Sequence, residues 1–257
     1  MEGDPPMASL AGKTAVVTGS TRGIGRGIAV RYGREGANVV VSGTNPDLCE
    51  EVAALIRQEG GSAVGIPCDI SKLEEINHLY DKTLETFGEI NIVVNNAGIA
   101  VFKPFVEVDP ETVKRIWDVN LFGTFFSGQR AAKEMIRQGK GGKIINMSSI
   151  SEEVGTADLT QYAVTKGGIK IMTKCMALEL AAHKINVNAI GAGVIDTDIS
   201  AEEFAKPGMR EATIQRIPWG RMGAPEDIAG TAVFLAGNDS DYLTGTTIFV
   251  DGGLIAM

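Results

Sequence analysis

Residues 13–25 read KTAVVTGSTRGIG, and the fold turns on how this stretch is understood. The run from Lys13 to Thr18 is short, apolar and β-branched, and it stops at Gly19. Such a run bounded by glycine is a buried strand. Apolar residues at helical spacing come next in GIGRGIAVRYGREG (23–36), which closes on Gly36 as a C-cap. Gly19, Gly23 and Gly25 let the backbone turn tightly and admit a bulky group close to it. The helix start then offers free N–H groups and a partial positive charge, a combination suited to a pyrophosphate. The spacing is GxxxGxG rather than GxGxxG, and a plain tight turn could use the same glycines.

The elements beyond the turn decide between these readings. NVVVSG (38–43) is a second strand, and PDLCEEVAALIRQEGG (46–61) a helix with Pro at its start and Gly at its end. SAVGIPCDI (62–70) is strand-like, LEEINHLYDKTLETFG (73–88) an amphipathic helix, and INIVVNNAG (90–98) a strand running into a loop. A long helix is predicted over 111–138, a strand at GKIINMSS (142–149), and a helix from about 160 to 181. INVNAIGAG (185–193) is a sixth strand, 196–220 is irregular, PEDIAGTAVFLAG (225–237) a helix and GTTIFVDGG (245–253) the last strand. Strand and helix alternate throughout. That pattern predicts an α/β fold: a single Rossmann-type doubly wound parallel sheet of about seven strands, with helices on both faces. Residues 1–10 are expected to be a flexible tail and 11–257 the domain, with a lid at about 196–220.

Composition narrows the function. The chain has 257 residues and a net charge of −8, which disfavours nucleic acid and anionic membranes as partners. No apolar run reaches the length of a membrane span, and the first residues have no secretory pattern. Cys49, Cys68 and Cys175 show no metal or disulfide spacing and read as reduced core thiols, which points to the cytoplasm. His78 and His183 read as surface residues, and no metal site is expected.

QYAVTKGGIKIM (161–172) holds the unusual chemistry. Tyr162 and Lys166 lie one helical turn apart on one face. A phenol ordinarily titrates near pH 10, and a neighbouring ammonium and a helix N-terminus both favour its ionised form. Taken alone, the pair is a common pattern, and packing of the ring with a snorkelling lysine explains it more simply.

The motifs TGSTRGIG (18–25), NNAG (95–98), the strand end at Ser149 and YAVTK (162–166), in this order, resemble the short-chain dehydrogenase/reductase family from about residue 11 to 253. The resemblance implies a hydride-transferring oxidoreductase acting on a carbonyl or secondary alcohol. Tyr162 would be the general acid/base, Lys166 would bind the nicotinamide ribose, and Ser149 would hold the substrate oxygen, with Ser148 its rival. Asn120 would support a proton relay. It also implies nucleotide contacts at Gly19, Thr21, Arg22, Gly23, Ile24, Gly25, Thr44, Asp69, Ile70, Asn95, Asn96, Ala97, Gly98, Gly193, Ile195 and Thr197, besides Tyr162 and Lys166. Gly43 stands where NAD-preferring members carry an Asp, and Arg22 could pair with a 2′-phosphate, so NADP(H) is expected ahead of NAD(H). Ala192 replaces the family's proline, which predicts a looser loop.

Glu152 is expected to face the substrate, as in glucose-dehydrogenase-like members, which suggests a sugar, polyol or small hydroxy compound. A 3-oxoacyl carrier-protein reductase is the alternative, weakened because Lys140 and His183 stand where that group carries arginines. A nucleotide-binding regulator without catalysis is a third reading, against which the full Asn120, Ser149, Tyr162 and Lys166 set speaks. The family resemblance also implies a homotetramer.

Overall fold

The structure, a computed structural model, describes residues 9–256. Among these, β1 (Thr14–Val17), β2 (Asn38–Val41), β3 (Ser62–Gly65), β4 (Ile92–Asn95), β5 (Gly142–Ser149), β6 (Ile185–Ala192) and β7 (Thr247–Val250) form one seven-stranded sheet in the order β3-β2-β1-β4-β5-β6-β7. Every pairing is parallel. The chain runs outward from β1 to β3, returns to lay β4 beside β1, then runs outward again to β7. Strand order therefore reverses between β1 and β4, the place where open parallel sheets receive ligands.

The helices are α1 (Gly23–Arg34), α2 (Pro46–Gln58), α3 (Leu73–Phe87), α4 (Pro110–Trp117), α5 (Gly123–Gln138), α6 (Thr160–Leu180), α7 (Ala201–Phe204), α8 (Met209–Gln215) and α9 (Pro225–Ala236). The strands are apolar throughout because both faces of the sheet are covered. Val17, Val39, Val41 and Val94 pack with Ile28, Ile56 and Leu235 of α1, α2 and α9. The alternate residues Val16, Val40 and Val93 face Leu79, Met135 and Ala177 of α3, α5 and α6. This two-residue alternation fixes which strand-end residues look up into the crevice and which look into a helix layer.

Several expectations change here. The helix predicted over 111–138 is broken by a π-helical turn at Asp118–Phe122, with Asn120 fully buried within it. Single π turns inside α-helices are often found at functional sites. The segment predicted to be irregular carries α7 and α8. Residues 1–8 of the expected tail lie outside the described residues, but Leu10 is fully buried in the core, and the Ser9 hydroxyl donates to Glu35 at 2.9 Å. Ala192 does not loosen a loop: it ends β6 in register with Ser149 on one side and Val250 on the other. Alanine keeps the backbone free to complete the strand where proline would interrupt it. Cys49 and Cys68 are buried as expected, whereas Cys175 is exposed on α6.

Candidate active site

A cavity of about 1480 Å³ opens over the carboxyl ends of the strands, and every predicted nucleotide-contact residue except Asn95 lines it. At one end is the glycine turn. A Cβ on Gly25 would sit 2.3 Å from the Gly19 carbonyl oxygen and 2.4 Å from Asn96 Nδ2. A Cβ on Gly19 would sit 2.7 Å from Ala97 Cα. Gly19 and Gly23 also hold φ values of +61° and +53°, which glycine adopts readily. Asn96 locks the turn, its amide donating to the carbonyls of Thr18 and Gly19, each at 2.9 Å. α1 starts at Gly23 with no side-chain cap, so its first N–H groups have no partner within the helix. A cradle of this width with open N–H groups fits the pyrophosphate of a dinucleotide.

Asp69 lies after β3. Partial burial works against its ionisation, but hydrogen bonds from Ser71 and the charge of Lys72 hold its carboxyl below the usual range. Gly43 leaves no carboxylate after β2, and a side chain there would press on Thr21, whose Cγ2 lies 2.9 Å from an ideal Cβ. Arg22 is exposed and lies 3.9 Å from an exposed Asp198. Sequence reasoning missed Ser42, Cys68, Ser71 and Val194 on the cavity wall. Their position just at or beyond strand ends was the available signal.

Asn95 departs from expectation. It is buried, donates to Asn146 Oδ1 at 2.9 Å and accepts from Ser127 Oγ at 2.6 Å. As the last residue of β4 it points to the α3–α5 layer, as Val93 does two residues earlier. It ties strands to helices and does not reach the crevice.

Ser149, Tyr162 and Lys166 share the other end of the cavity. β5 carries Ser149 at its tip, and the first two turns of α6 carry Tyr162 and Lys166. Lys166 is 4% exposed, lies 5.4 Å from the Tyr162 ring centre and donates to the Met147 carbonyl at 2.7 Å. Burial pushes its ammonium down to about 8, with the Glu152 carboxylate pulling the other way. Burial also pushes the Tyr162 phenol up to about 12, opposed by a hydrogen bond with Ser149. This reverses the sequence expectation of a lowered phenol. Desolvation outweighs the helix dipole, and the ammonium is engaged by a carbonyl rather than by the phenol oxygen. At neutral pH the Tyr162 phenol is thus protonated.

The two candidate serines separate clearly. Ser149 Oγ accepts from Ser151 N–H at 3.1 Å and is also in hydrogen-bond reach of Tyr162. Ser148 Oγ is committed to Glu152 and lies 3.4 Å from the Lys166 carbonyl. Glu152 itself does not line the cavity, contrary to its expected substrate contact. The short 3₁₀ turn Ile150–Glu152 folds its carboxylate back toward Ser148. Its second oxygen, Oε1, is buried and makes no hydrogen bond.

Asn120 does not line the cavity either. Its Oδ1 accepts from Ile99 N–H at 2.9 Å, while Nδ2 donates to the Ile99 carbonyl at 3.0 Å and to Thr165 Oγ1 at 3.2 Å. Thr165 in turn donates to the Tyr162 carbonyl at 2.6 Å. The side chain clamps the loop after β4 to Thr165 in the second turn of α6, which in turn holds the Tyr162 carbonyl.

The switch-point cavity thus holds a glycine cradle at one end and a Ser–Tyr–Lys group at the other. The chain belongs to the short-chain dehydrogenase/reductase family. A family model described as enoyl-(acyl carrier protein) reductase matches residues 19–255. The chain is 43% identical over 246 residues to a 3beta-hydroxysteroid dehydrogenase of Eggerthella lenta, covering 95% of this chain and 94% of that one. It is 43% identical over 249 residues to L-rhamnose-1-dehydrogenase of Scheffersomyces stipitis, covering 95% and 96%. A crystal structure of a gluconate 5-dehydrogenase from Burkholderia cenocepacia, in complex with NADP and tartrate, superposes with a TM-score of 0.93 at 33% identity over 98% of each chain. The protein is an oxidoreductase of this family, acting on CH–OH and C=O groups.

Proposed function

We propose that the protein moves hydride between a nicotinamide dinucleotide and a secondary alcohol or its ketone, with Tyr162 carrying the proton. The observation behind this reading is that Ser149, Tyr162 and Lys166 share one cavity with the glycine turn. The dinucleotide, when bound, supplies or accepts the hydride. Ser149 holds the substrate oxygen within reach of Tyr162. Lys166 keeps positive charge beside the phenol, and Asn120 fixes the helix turn that carries it. The β6–α9 segment, with α7 and α8, acts as the lid. The test is nucleotide oxidation and reduction monitored at 340 nm over a carbonyl and alcohol panel. A complete lack of turnover with nucleotide bound would favour the regulator reading.

We further infer a preference for NADP(H). Gly43 puts no carboxylate against a 2′-phosphate, Arg22 is exposed and loosely paired, and the gluconate 5-dehydrogenase from Burkholderia cenocepacia holds NADP. A hydrogen bond to a charged group is worth about 1.5–3 kcal/mol, so Arg22→Ala raises KM for NADPH by about tenfold or more. KM for NADH stays within about twofold. Equal KM values for the two nucleotides in the parent enzyme would refute the preference.

Relatives support two substrate classes, a sugar through the rhamnose enzyme and an apolar ring alcohol through the hydroxysteroid enzyme. The polyol reading leaned on Glu152, which is turned away from the cavity. The carrier-protein reading loses support as well, because Lys140 is paired to Glu89 at 2.8 Å.

A homotetramer is the proposed assembly. Leu121, Phe122, Phe125, Phe126, Gly168 and Met172 form a shallow apolar groove, and Val164, Ile171 and Leu178 stand exposed along α6. Such a face is expected to be covered. Gly168 belongs to this groove, with an ideal Cβ 2.9 Å from Leu121 Cδ2, whereas Gly167 faces open space. Phe125→Glu lowers the mass measured by light scattering below that of the parent tetramer. A parent that runs as a monomer would refute the assembly. No helix among the described residues is long and apolar enough to cross a membrane. We place the protein in the cytoplasm, which cell fractionation tests.

A further inference from the structure

Glu152 is a carboxylate in an unusual place. One oxygen, Oε2, accepts the Ser148 hydroxyl, which itself lies 3.4 Å from the Lys166 carbonyl. The other, Oε1, is buried and has no hydrogen-bond partner. A carboxylate oxygen taken out of water without a donor is costly unless a positive charge stands near. The bond to Ser148 does not account for that charge, since a neutral amide carbonyl could accept the same proton.

Lys166 supplies the missing counterpart. Its ammonium is 4% exposed and carries three protons. Among the described residues the only acceptor for them is the Met147 carbonyl, at 2.7 Å. The 3₁₀ turn Ile150–Glu152 is fastened to α6 just beyond, where Glu153 pairs with Lys170 one helical turn past Lys166. Two successive carboxylates on the turn thus face two lysines at i and i+4 on the helix. The outer pair is in direct contact, whereas the inner pair makes no direct bond and is shielded from water.

Other charges do not compete for this ammonium. On α6 itself, Tyr162 is protonated and Lys170 is taken by Glu153. Asp118 of the π turn is paired with Lys114 of α4, and Arg130 of α5 with Glu134. β5 brings Lys143 at its far end, bound to Asp241, and β6 brings no charged side chain. Glu111, Arg115 and Asp158 around the cavity mouth are exposed. Glu152 is the group whose charge opposes the effect of burial on Lys166.

We propose that Glu152 is a positioning residue for the proton transfer: held by Ser148, its carboxylate keeps the Lys166 ammonium charged, so that positive charge stands beside Tyr162 as the proton moves. The inference rests on the roles proposed above for Tyr162 and Lys166. Glu152 itself forms no bond to the substrate and carries no proton; it acts through its field.

The full chain is tested by trace acetylation with acetic anhydride from pH 6 to 10, read at Lys166 by peptide mass spectrometry. This reports the fraction of free amine without any substrate. The parent is expected to titrate at about 8. Glu152→Gln titrates about one unit lower, because a close opposite charge moves a pKa by about 1–3 units. Should Glu152→Gln not fold, Ser148→Ala carries the test with the same expected sign, since it frees the carboxylate to turn to water. Ketone reduction at saturating NADPH follows the same curve. The loss in Glu152→Gln grows from about twofold or less at pH 6 to about tenfold at pH 9. An unchanged Lys166 midpoint in the folded variant, or a rate loss that does not vary with pH, makes Glu152 a brace of the 3₁₀ turn. Either result overturns the proposal and leaves the roles of Tyr162 and Lys166 standing. Absence of turnover by the parent on the whole carbonyl and alcohol panel, with nucleotide bound, overturns the oxidoreductase reading and this one with it.

Discussion

Tyr162→Phe is expected to bind NADPH with the parent's Kd and to lose about three orders of magnitude in turnover. Positioned general acid–base catalysis contributes roughly 10²–10⁴-fold, and the phenol hydroxyl is the group placed to supply it. The ring remains, so the packing under Lys166 is kept and the fold should hold. The raised phenol also predicts a directional pH profile. With the group near 12, the protonated form dominates at neutral pH, so ketone reduction is flat below the titration of Lys166 at about 8 and falls above it as that charge is lost. Alcohol oxidation requires the phenolate, and its rate rises with pH through the alkaline range. In Tyr162→Phe that rise disappears. Initial rates in both directions from pH 6 to 10 check this, and an unchanged alkaline rise in the variant would move the proton carrier to another residue.

Gly25→Ala is expected to be the most damaging single methyl in the chain for nucleotide binding. The added carbon meets a backbone oxygen at 2.3 Å and an amide nitrogen at 2.4 Å, with Ser20 Cα at 2.9 Å. None of these is the free end of a long side chain. Asn96 is itself pinned to Thr18 and Gly19, so the turn cannot yield without losing those bonds. Shifting the start of α1 removes at least one hydrogen bond to a phosphate, worth about 1.5–3 kcal/mol, so Kd for NADPH rises about tenfold to a hundredfold. Overpacking of this kind costs about 1–3 kcal/mol in stability, and Tm falls by several degrees. Gly167→Ala, where an ideal Cβ meets nothing within 4 Å, serves as the control and should change neither quantity. Parent-like affinity in Gly25→Ala would mean the nucleotide does not use this turn.

Much of the fold and the site is legible in the chain itself. Buried parallel strands are short apolar runs, and glycine or proline marks their ends, so the alternation of elements is written locally. The glycine turn and the Tyr162–Lys166 spacing are local too. The features that escape a sequence reading depend on direction and burial rather than on spacing. Glu152 lies three residues past Ser149, and only the 3₁₀ turn reveals that it folds back to Ser148. The phenol moves up rather than down because burial outweighs its neighbours, and burial is a property of the assembled fold. The π turn leaves no mark, since Ile116, Val119 and Asn120 continue an ordinary helical pattern. Asn95 is the exception: counting alternate residues along β4 from Val93 would have turned it away from the crevice.

That π turn has a consequence for how the chain can vary. It amounts to one residue more than an α-helix needs between Trp117 and Gly123, and one residue is about 100° of rotation. Substitutions leave that phase intact. A single deletion within 118–122 would give a plain α-helix with α4 and α5 still in phase, and would remove the bulge that carries Asn120 to Ile99. The placement of Asn120 is thus set by a count of residues as much as by its own identity, so length in this stretch should be less free to drift than the residues around it.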